Sequence, residues 1–258
     1  MLTCFLRIDD VRMNLRLTLI FATLLFFTGQ PWCGELAPVD INEYPWSSIG
    51  KLYNRAGEAC TAAVISPLEV ATAAHCLFNS RTRLLLQPSS LHFLLGYKQG
   101  DYRYDLRISE YRIGSNYQLG NALASEINDW AVLRLTQPAP QEVKPILPAD
   151  KPAKIGDSLL VGGFAQSQQY SMTADTNCNV RGILPNGLIL HDCAVLKGDS
   201  GAPILRRAGE MIEVLGIHVA SGLAGGTAVE IAVPVSTLPN GQNSALGTAP
   251  NGTDSGLK

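Results

Sequence analysis

A serine stands between two glycines in "LKGDSGAPIL", Leu196 to Leu205, a loop too glycine-rich to be a packing element. Glycine serves where the backbone must take a conformation that other side chains forbid, or where another group must come close. Gly, Asp and Ser also form ordinary turns, so Ser200 is either a turn residue or a nucleophile. As a nucleophile it needs a base within hydrogen-bond reach, because a free hydroxyl is hardly ionised at neutral pH. The chain has four histidines. His92 and His191 sit inside strand-like segments, where alternation gives them a packed or solvated place. His75 ends the β-branched and alanine run of "VATAAHCLF" and is followed by a cysteine that a bond to Cys60 would staple. A histidine base in turn needs a carboxylate to fix its tautomer and stabilise the imidazolium. Asp129, in "EINDWAVLRL", directly precedes a six-residue apolar segment and is drawn under the surface at its start. A buried carboxylate there requires a partner, unless it merely caps a turn.

Three segments, "TAAHC" (Thr72 to Cys76), "NDWAVLRL" (Asn128 to Leu135) and "GDSGAP" (Gly198 to Pro203), run in the order His, Asp, Ser. Together they resemble the signature segments of the chymotrypsin-like (trypsin-like) serine peptidases, whose triad order differs from those of the subtilisin and α/β-hydrolase groups. The resemblance covers about residues 44–235. The segment "YPWSSIGKL", the Cys60 to Cys76 spacing and "ILHDC" before "GDSG" are more similar to the bacterial branch than to animal digestive members. The resemblance implies an all-β fold of two antiparallel β-barrels with the active site between them. It also implies a serine endopeptidase that works through an acyl-enzyme on protein or peptide substrates without a cofactor. Ser200 is then the nucleophile, His75 the general base and later acid, and Asp129 the residue that orients His75. The backbone N–H groups of Gly198 and Ser200 become the oxyanion hole, which accounts for the glycine at 198. Asp199 locks the loop by pairing with a buried cationic group.

The chain also departs from the family pattern. Where activated members begin with an apolar residue, as in "IVGG", it offers "GELAPVDINEYPW", which leaves any maturation step and the partner of Asp199 open. The family's C-terminal helix is not expected, because "VPVSTLPNGQ" stops a helix early. In the substrate pocket, Ala194 stands where trypsin-like enzymes carry an aspartate, so strict cleavage after Lys or Arg is disfavoured. His218 resembles the pocket histidine of bacterial glutamyl endopeptidases and, with Lys197, would favour an acidic side chain. Val195 stands where those enzymes place a hydroxyl residue, so small or apolar side chains stay open as well. Two other functions fit the same resemblance: a catalytically silent binding or scaffolding protein on a protease fold, and an esterase.

The elements that must hold these residues read as strands. "SSIGKLY", "CTAAVIS", "LHFLLGY", "YRYDLRI", "WAVLRL", "SLLVGGF", "GLILHDC", "APILRR", "EVLGIHVA" and "VEIAVPV" are short apolar runs separated by turn residues, with no long 3.6-residue period. Thr136 to Gly156 carries five prolines and is expected to cross between two lobes, residues 36–136 and 155–237. Residues 238–258 are rich in Gly, Asn, Ser and Pro and read as a disordered tail.

A net charge of −2 excludes the basic surface that nucleic acid or an anionic membrane would need. Leu17 to Thr28 is a twelve-residue apolar run after Arg12 and Arg16, too short to span a bilayer comfortably and suited to a secretory signal. Residues 1–34 are therefore read as a signal region, with Met13 giving a cleaner start than Met1. The mature chain is then secreted or periplasmic, without a stable membrane span. Outside the leader stand Cys60, Cys76, Cys178 and Cys193, which an exported chain uses as disulfides. Of the three possible pairings, Cys60 with Cys76 and Cys178 with Cys193 is the local one, worth roughly 3 kcal/mol per loop in the chain-entropy model. Neither a CxxC pair nor His-x3-His spacing supports a metal site.

Overall fold

The structure, a computed structural model, describes residues 35–54, 58–119, 125–168 and 171–239. The signal region, Cys33 and most of the tail thus lie outside the described residues. Among the described residues there are thirteen strands and several single-turn 3-10 helices but no α-helix element; the segment after residue 239, on which the expectation about a C-terminal helix bears, lies outside them.

Strands β2 (Ile49–Asn54), β3 (Ala59–Ser66), β4 (Glu69–Thr72), β5 (Leu91–Leu95), β6 (Tyr104–Ile113) and β7 (Ala131–Leu135) close a barrel in the order β2-β3-β4-β7-β6-β5. The closing contact is the antiparallel pairing of β2 with β5, so the barrel has no free edge. In β3 the run from Thr61 to Ile65 is buried at every position rather than alternately. The strand is in contact beyond its own barrel: Ile146 of the proline-rich segment donates its N–H to the Val64 carbonyl at 2.9 Å, and Thr61 N–H donates to the Ser200 carbonyl.

Strands β8 (Ser158–Gly163), β9 (Thr173–Ile183), β10 (Ile189–His191), β11 (Pro203–Ala208), β12 (Met211–Ala224) and β13 (Thr227–Pro234) form a second antiparallel ring, closed by β8 pairing with β9. The expected architecture of two antiparallel barrels is therefore present. The short β1 (Ala37–Pro38) belongs to the first lobe by sequence, yet pairs with Ala174 and Thr173 of β9 in the second barrel.

Between the barrels the five-proline stretch forms no strand, since proline supplies no ladder donor. It is held by bonds on either side: Ala139 and Ile146 donate their N–H groups to the Pro67 and Val64 carbonyls, while Ala149 N–H donates to the Val214 carbonyl and Val214 N–H to the Leu147 carbonyl. Leu238, at the start of the segment read as tail, is buried in the main core, so packing reaches that residue.

All ten segments read as strands contain one. Three strands were not expected. Strand β9 carries Asp175, Asn177 and Asn179, residues poor in strand propensity, and is held by three partners, β1, β8 and β10. Both oxygens of the buried Asp175 are used, accepting the N–H groups of Asn177 and Ala194 at 2.9 Å each. Strand β4 is only four residues long and β1 only two, too short for a period-2 signal.

Candidate active site

His75 and Asp129 meet because β4 and β7 are neighbours. Thr72, the last residue of β4, pairs with Ala131, the first of β7. His75 lies just past the end of β4, in a 3-10 turn (Ala74–Leu77), and Asp129 sits just before β7, after another (Glu126–Asn128). The Asp129 carboxylate is used twice: Oδ2 lies 2.7 Å from His75 Nδ1, and Oδ1 accepts the His75 backbone N–H at 2.9 Å. The two bonds fix both the backbone and the ring of His75, and they make Nδ1 the donor, leaving Nε2 as the basic nitrogen. Asp129 is 6% exposed, and burial, with a smaller contribution from the Asp129 charge, raises the carboxyl of the neighbouring Glu126. The Cys60–Cys76 disulfide ties the residue after His75 to β3, as the local pairing predicted.

Ser200 comes from the other barrel, in the turn between β10 and β11, and shares one cleft of about 440 Å³ with His75, Lys197 and Gly198. Thr61 of β3 joins this turn to the first barrel. Its N–H donates to the Ser200 carbonyl at 2.9 Å, and its hydroxyl donates to the Gly198 carbonyl at 3.3 Å and accepts the Phe164 N–H at 3.0 Å. Thr61 was not legible as a site residue, because a threonine after a cysteine in a buried strand carries no signal of its own. No hydrogen bond joins Ser200 Oγ to His75 in this structure, an arrangement common where such contacts tighten only around substrate.

Two glycines shape the turn. At Gly198 φ is +109°, and a Cβ would come within 2.7 Å of the Phe164 carbonyl and the Gln166 nitrogen. At Gly201 φ is +83°, and a Cβ would overlap Thr72 Oγ1 and the Thr61 carbonyl. The Lys197 carbonyl accepts the Gln166 N–H at 2.6 Å, so the Gly198 N–H, trans to it across a planar peptide, points the opposite way. Among the described residues neither the Gly198 nor the Ser200 N–H has an acceptor.

Asp199 is 2% exposed and departs from expectation: no cation pairs with it among the described residues. Its Oδ2 instead accepts the Leu196 N–H at 2.8 Å, while Oδ1 is buried without a partner. Burial pushes its carboxyl up to about 6. An uncompensated buried carboxylate is costly, so the backbone bond replaces only part of what a cation would give.

The four residues grouped as a substrate pocket fall in different surroundings. Lys197 is exposed and lines the cleft. Ala194 donates its N–H to Asp175, and Val195 packs on the interior of the second barrel. His218 is buried in that barrel, edge-on to His191 with ring centroids 5.6 Å apart, and burial pushes both imidazoles down to about 3. A neutral His218 offers no positive charge to an acidic side chain. Missed entirely was Glu230, whose Oε2 lies 4.0 Å from His218 Nε2; a glutamate inside the apolar run "VEIAVPV" was the available signal.

Cys60, His75 and Cys76 bring three ligating atoms within 4.8 Å of one another, but the two sulfurs are joined to each other and supply no thiolate. The second disulfide, Cys178–Cys193, also follows the local pairing. Among the described residues no helix is long and apolar enough to cross a membrane.

A family model described as Trypsin matches residues 36–240. Among solved structures, a Glu endopeptidase in complex with MPD superposes with a TM-score of 0.66 at 18% identity, covering 79% of this chain and 93% of that one. Human heparin binding protein gives a TM-score of 0.61 at 19% identity, covering 78% and 91%. At these identities the likeness is one of fold. No curated protein matches the chain by sequence.

Proposed function

The chain belongs to the trypsin family, and from that premise we propose that it is an exported serine endopeptidase using Ser200, His75 and Asp129, akin to the family's bacterial members. The observation that carries this reading is the doubly bonded Asp129–His75 pair facing the same cleft as Ser200. Ser200 Oγ attacks the scissile carbonyl carbon while His75 Nε2 takes its proton. The oxyanion that forms is met by the free N–H groups of Gly198 and Ser200, a contribution of about 3 to 4 kcal/mol for one such donor. Collapse breaks the C–N bond, His75 passes its proton to the departing amine, and an ester on Ser200 remains. Water, deprotonated by His75, then hydrolyses that ester and restores the serine.

The shape of the cleft favours a polypeptide substrate. Beyond His75 it runs over the Cys60–Cys76 disulfide toward Leu52, Phe78 and Leu91, on the side from which the amine must leave. With Asn54, Glu58 and Ser80 also lining it, this part of the cleft has room for residues after the scissile bond, more than the small alcohol of an ester needs. Two disulfides and a twelve-residue apolar leader support export. Ser200→Ala should lower peptide turnover by about six orders of magnitude, the size of loss on removing such a nucleophile. Unchanged turnover in that variant overturns the assignment.

A further inference from the structure

Four consecutive carbonyls run through the Ser200 turn, and each is held. Those of Lys197 and Asp199 accept the N–H groups of Gln166 and Ala202, at 2.6 and 2.8 Å, both from the second half of the chain. Those of Gly198 and Ser200 are both taken by one residue of the first barrel, Thr61, through its hydroxyl at 3.3 Å and its N–H at 2.9 Å. Thr61 is fully buried. A hydroxyl has one hydrogen to give and lone pairs to receive with, and both capacities are used, because Oγ1 also accepts the Phe164 N–H at 3.0 Å. The side chain therefore bridges the segment after β8 to the turn, beside the direct bond from Gln166. On the side of the base, the Thr61 carbonyl accepts the hydroxyl of Thr72 at 2.8 Å, and Thr72 ends the strand that leads to His75.

At Gly198, where φ is +109°, no Cβ restricts rotation, so the two flanking peptide planes are fixed by whatever holds their carbonyls. The plane that carries the Gly198 N–H is held through the Lys197 carbonyl, and the next one through Thr61 Oγ1. Asp199 adds no ion pair among the described residues: Oδ2 accepts the Leu196 N–H and Oδ1 has no partner. A methyl group at Gly163 would meet both that oxygen, at 2.5 Å, and Thr61 Oγ1, at 2.9 Å, so the threonine hydroxyl is lodged against the same glycine as the orphaned oxygen. We infer that Thr61 is a positioning residue of the reaction, whose hydroxyl holds the turn that carries the Gly198 and Ser200 donors in place of the ion pair that Asp199 lacks. This rests on the peptidase reading above. Valine at position 61 would fill the same space and keep the N–H to the Ser200 carbonyl, but it would leave the Gly198 carbonyl and the Phe164 N–H without this partner.

The test uses the exported, disulfide-bonded protein and the rate at which a fluorophosphonate labels Ser200, a reaction that draws on the two N–H donors without requiring the preferred peptide. Thr61→Val should slow labelling roughly ten- to a hundredfold, less than the loss of an oxyanion donor itself, while the amount labelled at completion stays at the wild-type level. Thr61→Ser keeps the hydroxyl and should label within about threefold of the wild type. On a peptide that the wild type cleaves, the loss in Thr61→Val should fall on kcat with KM nearly unchanged, because the turn acts on charge that develops only in the transition state. Should the valine variant not fold, Thr61→Ala, which also lacks the hydroxyl and demands less room, takes its place in each comparison. Labelling of the hydroxyl-free variant at the wild-type rate, a serine variant as slow as the valine one, or a loss confined to KM or to the amount labelled overturns the inference, while a labelled wild type still upholds the peptidase reading. Failure of the wild type to label at all overturns both.

Discussion

At Asp129 the carboxylate holds the His75 backbone N–H with one oxygen and the ring nitrogen with the other. An asparagine could present its oxygen to only one of these donors, and its NH2 would face the other. Its most damaging outcome is a ring whose Nδ1 accepts rather than donates, which puts the proton on Nε2, where the base must be. Asp129→Asn should therefore cost about four orders of magnitude in kcat with little change in fold, read from turnover alongside circular dichroism. Retention of wild-type kcat would contradict the positioning role. His75, Asp129 and Ser200 were all legible in the sequence because their local words are distinctive. The loss of a cation at Asp199 and the approach of Glu230 to His218 were not, because each depends on what lies across a sheet or a loop rather than on neighbours in the chain.

Two elements carry the geometry: the β4–β7 pairing that brings His75 to Asp129, and the glycine turn that presents Ser200. Gly201→Ala drives a methyl group into Thr72 Oγ1 and the Thr61 carbonyl at a positive φ, so the turn must move or the barrels part. We expect a loss of at least about 2 kcal/mol in chemical denaturation, with activity lost together with stability. A variant as stable and active as the wild type would contradict the close approach seen there. Replacing Cys60 and Cys76 by alanine should cost roughly 3 kcal/mol and also loosen His75, so that kcat falls even where the protein is fully folded. Of the strands, those with apolar runs were readable from sequence alone. Strand β9 was not, because the buried Asp175 is satisfied in part by the N–H of Ala194, a contact from a distant part of the chain that exists only in the folded second barrel.

For the molecule as a whole, the buried imidazoles set a pH dependence. His191 titrates near 6.5 when unfolded and near 3 when folded, so between these values the unfolded chain binds more protons and acid weakens the fold. His218 acts in the same direction. Asp199, pushed up to about 6 by burial, acts oppositely: its contribution is full below its ordinary value and is lost as pH rises through 6. Replacing His191 by leucine removes one imidazole from this balance. The stability difference between variant and wild type should move in the variant's favour by roughly 1 kcal/mol per pH unit as pH falls below 6.5. Urea denaturation at several pH values checks this, and a difference independent of pH would contradict the burial of an uncharged His191. Two β-lobes were legible from strand density and the five-proline crossing, and the two-barrel plan from the resemblance carried by the three signature segments, whereas the attachment of β1 to the second barrel was not. The proposed function depends on one hydroxyl, that of Ser200, acting as a nucleophile beside His75. The most direct measurement is mass spectrometry of the oxidised, exported protein after exposure to a fluorophosphonate. The account predicts a single adduct on Ser200 that disappears in His75→Ala; an unmodified protein, or an adduct that survives the loss of His75, would contradict it.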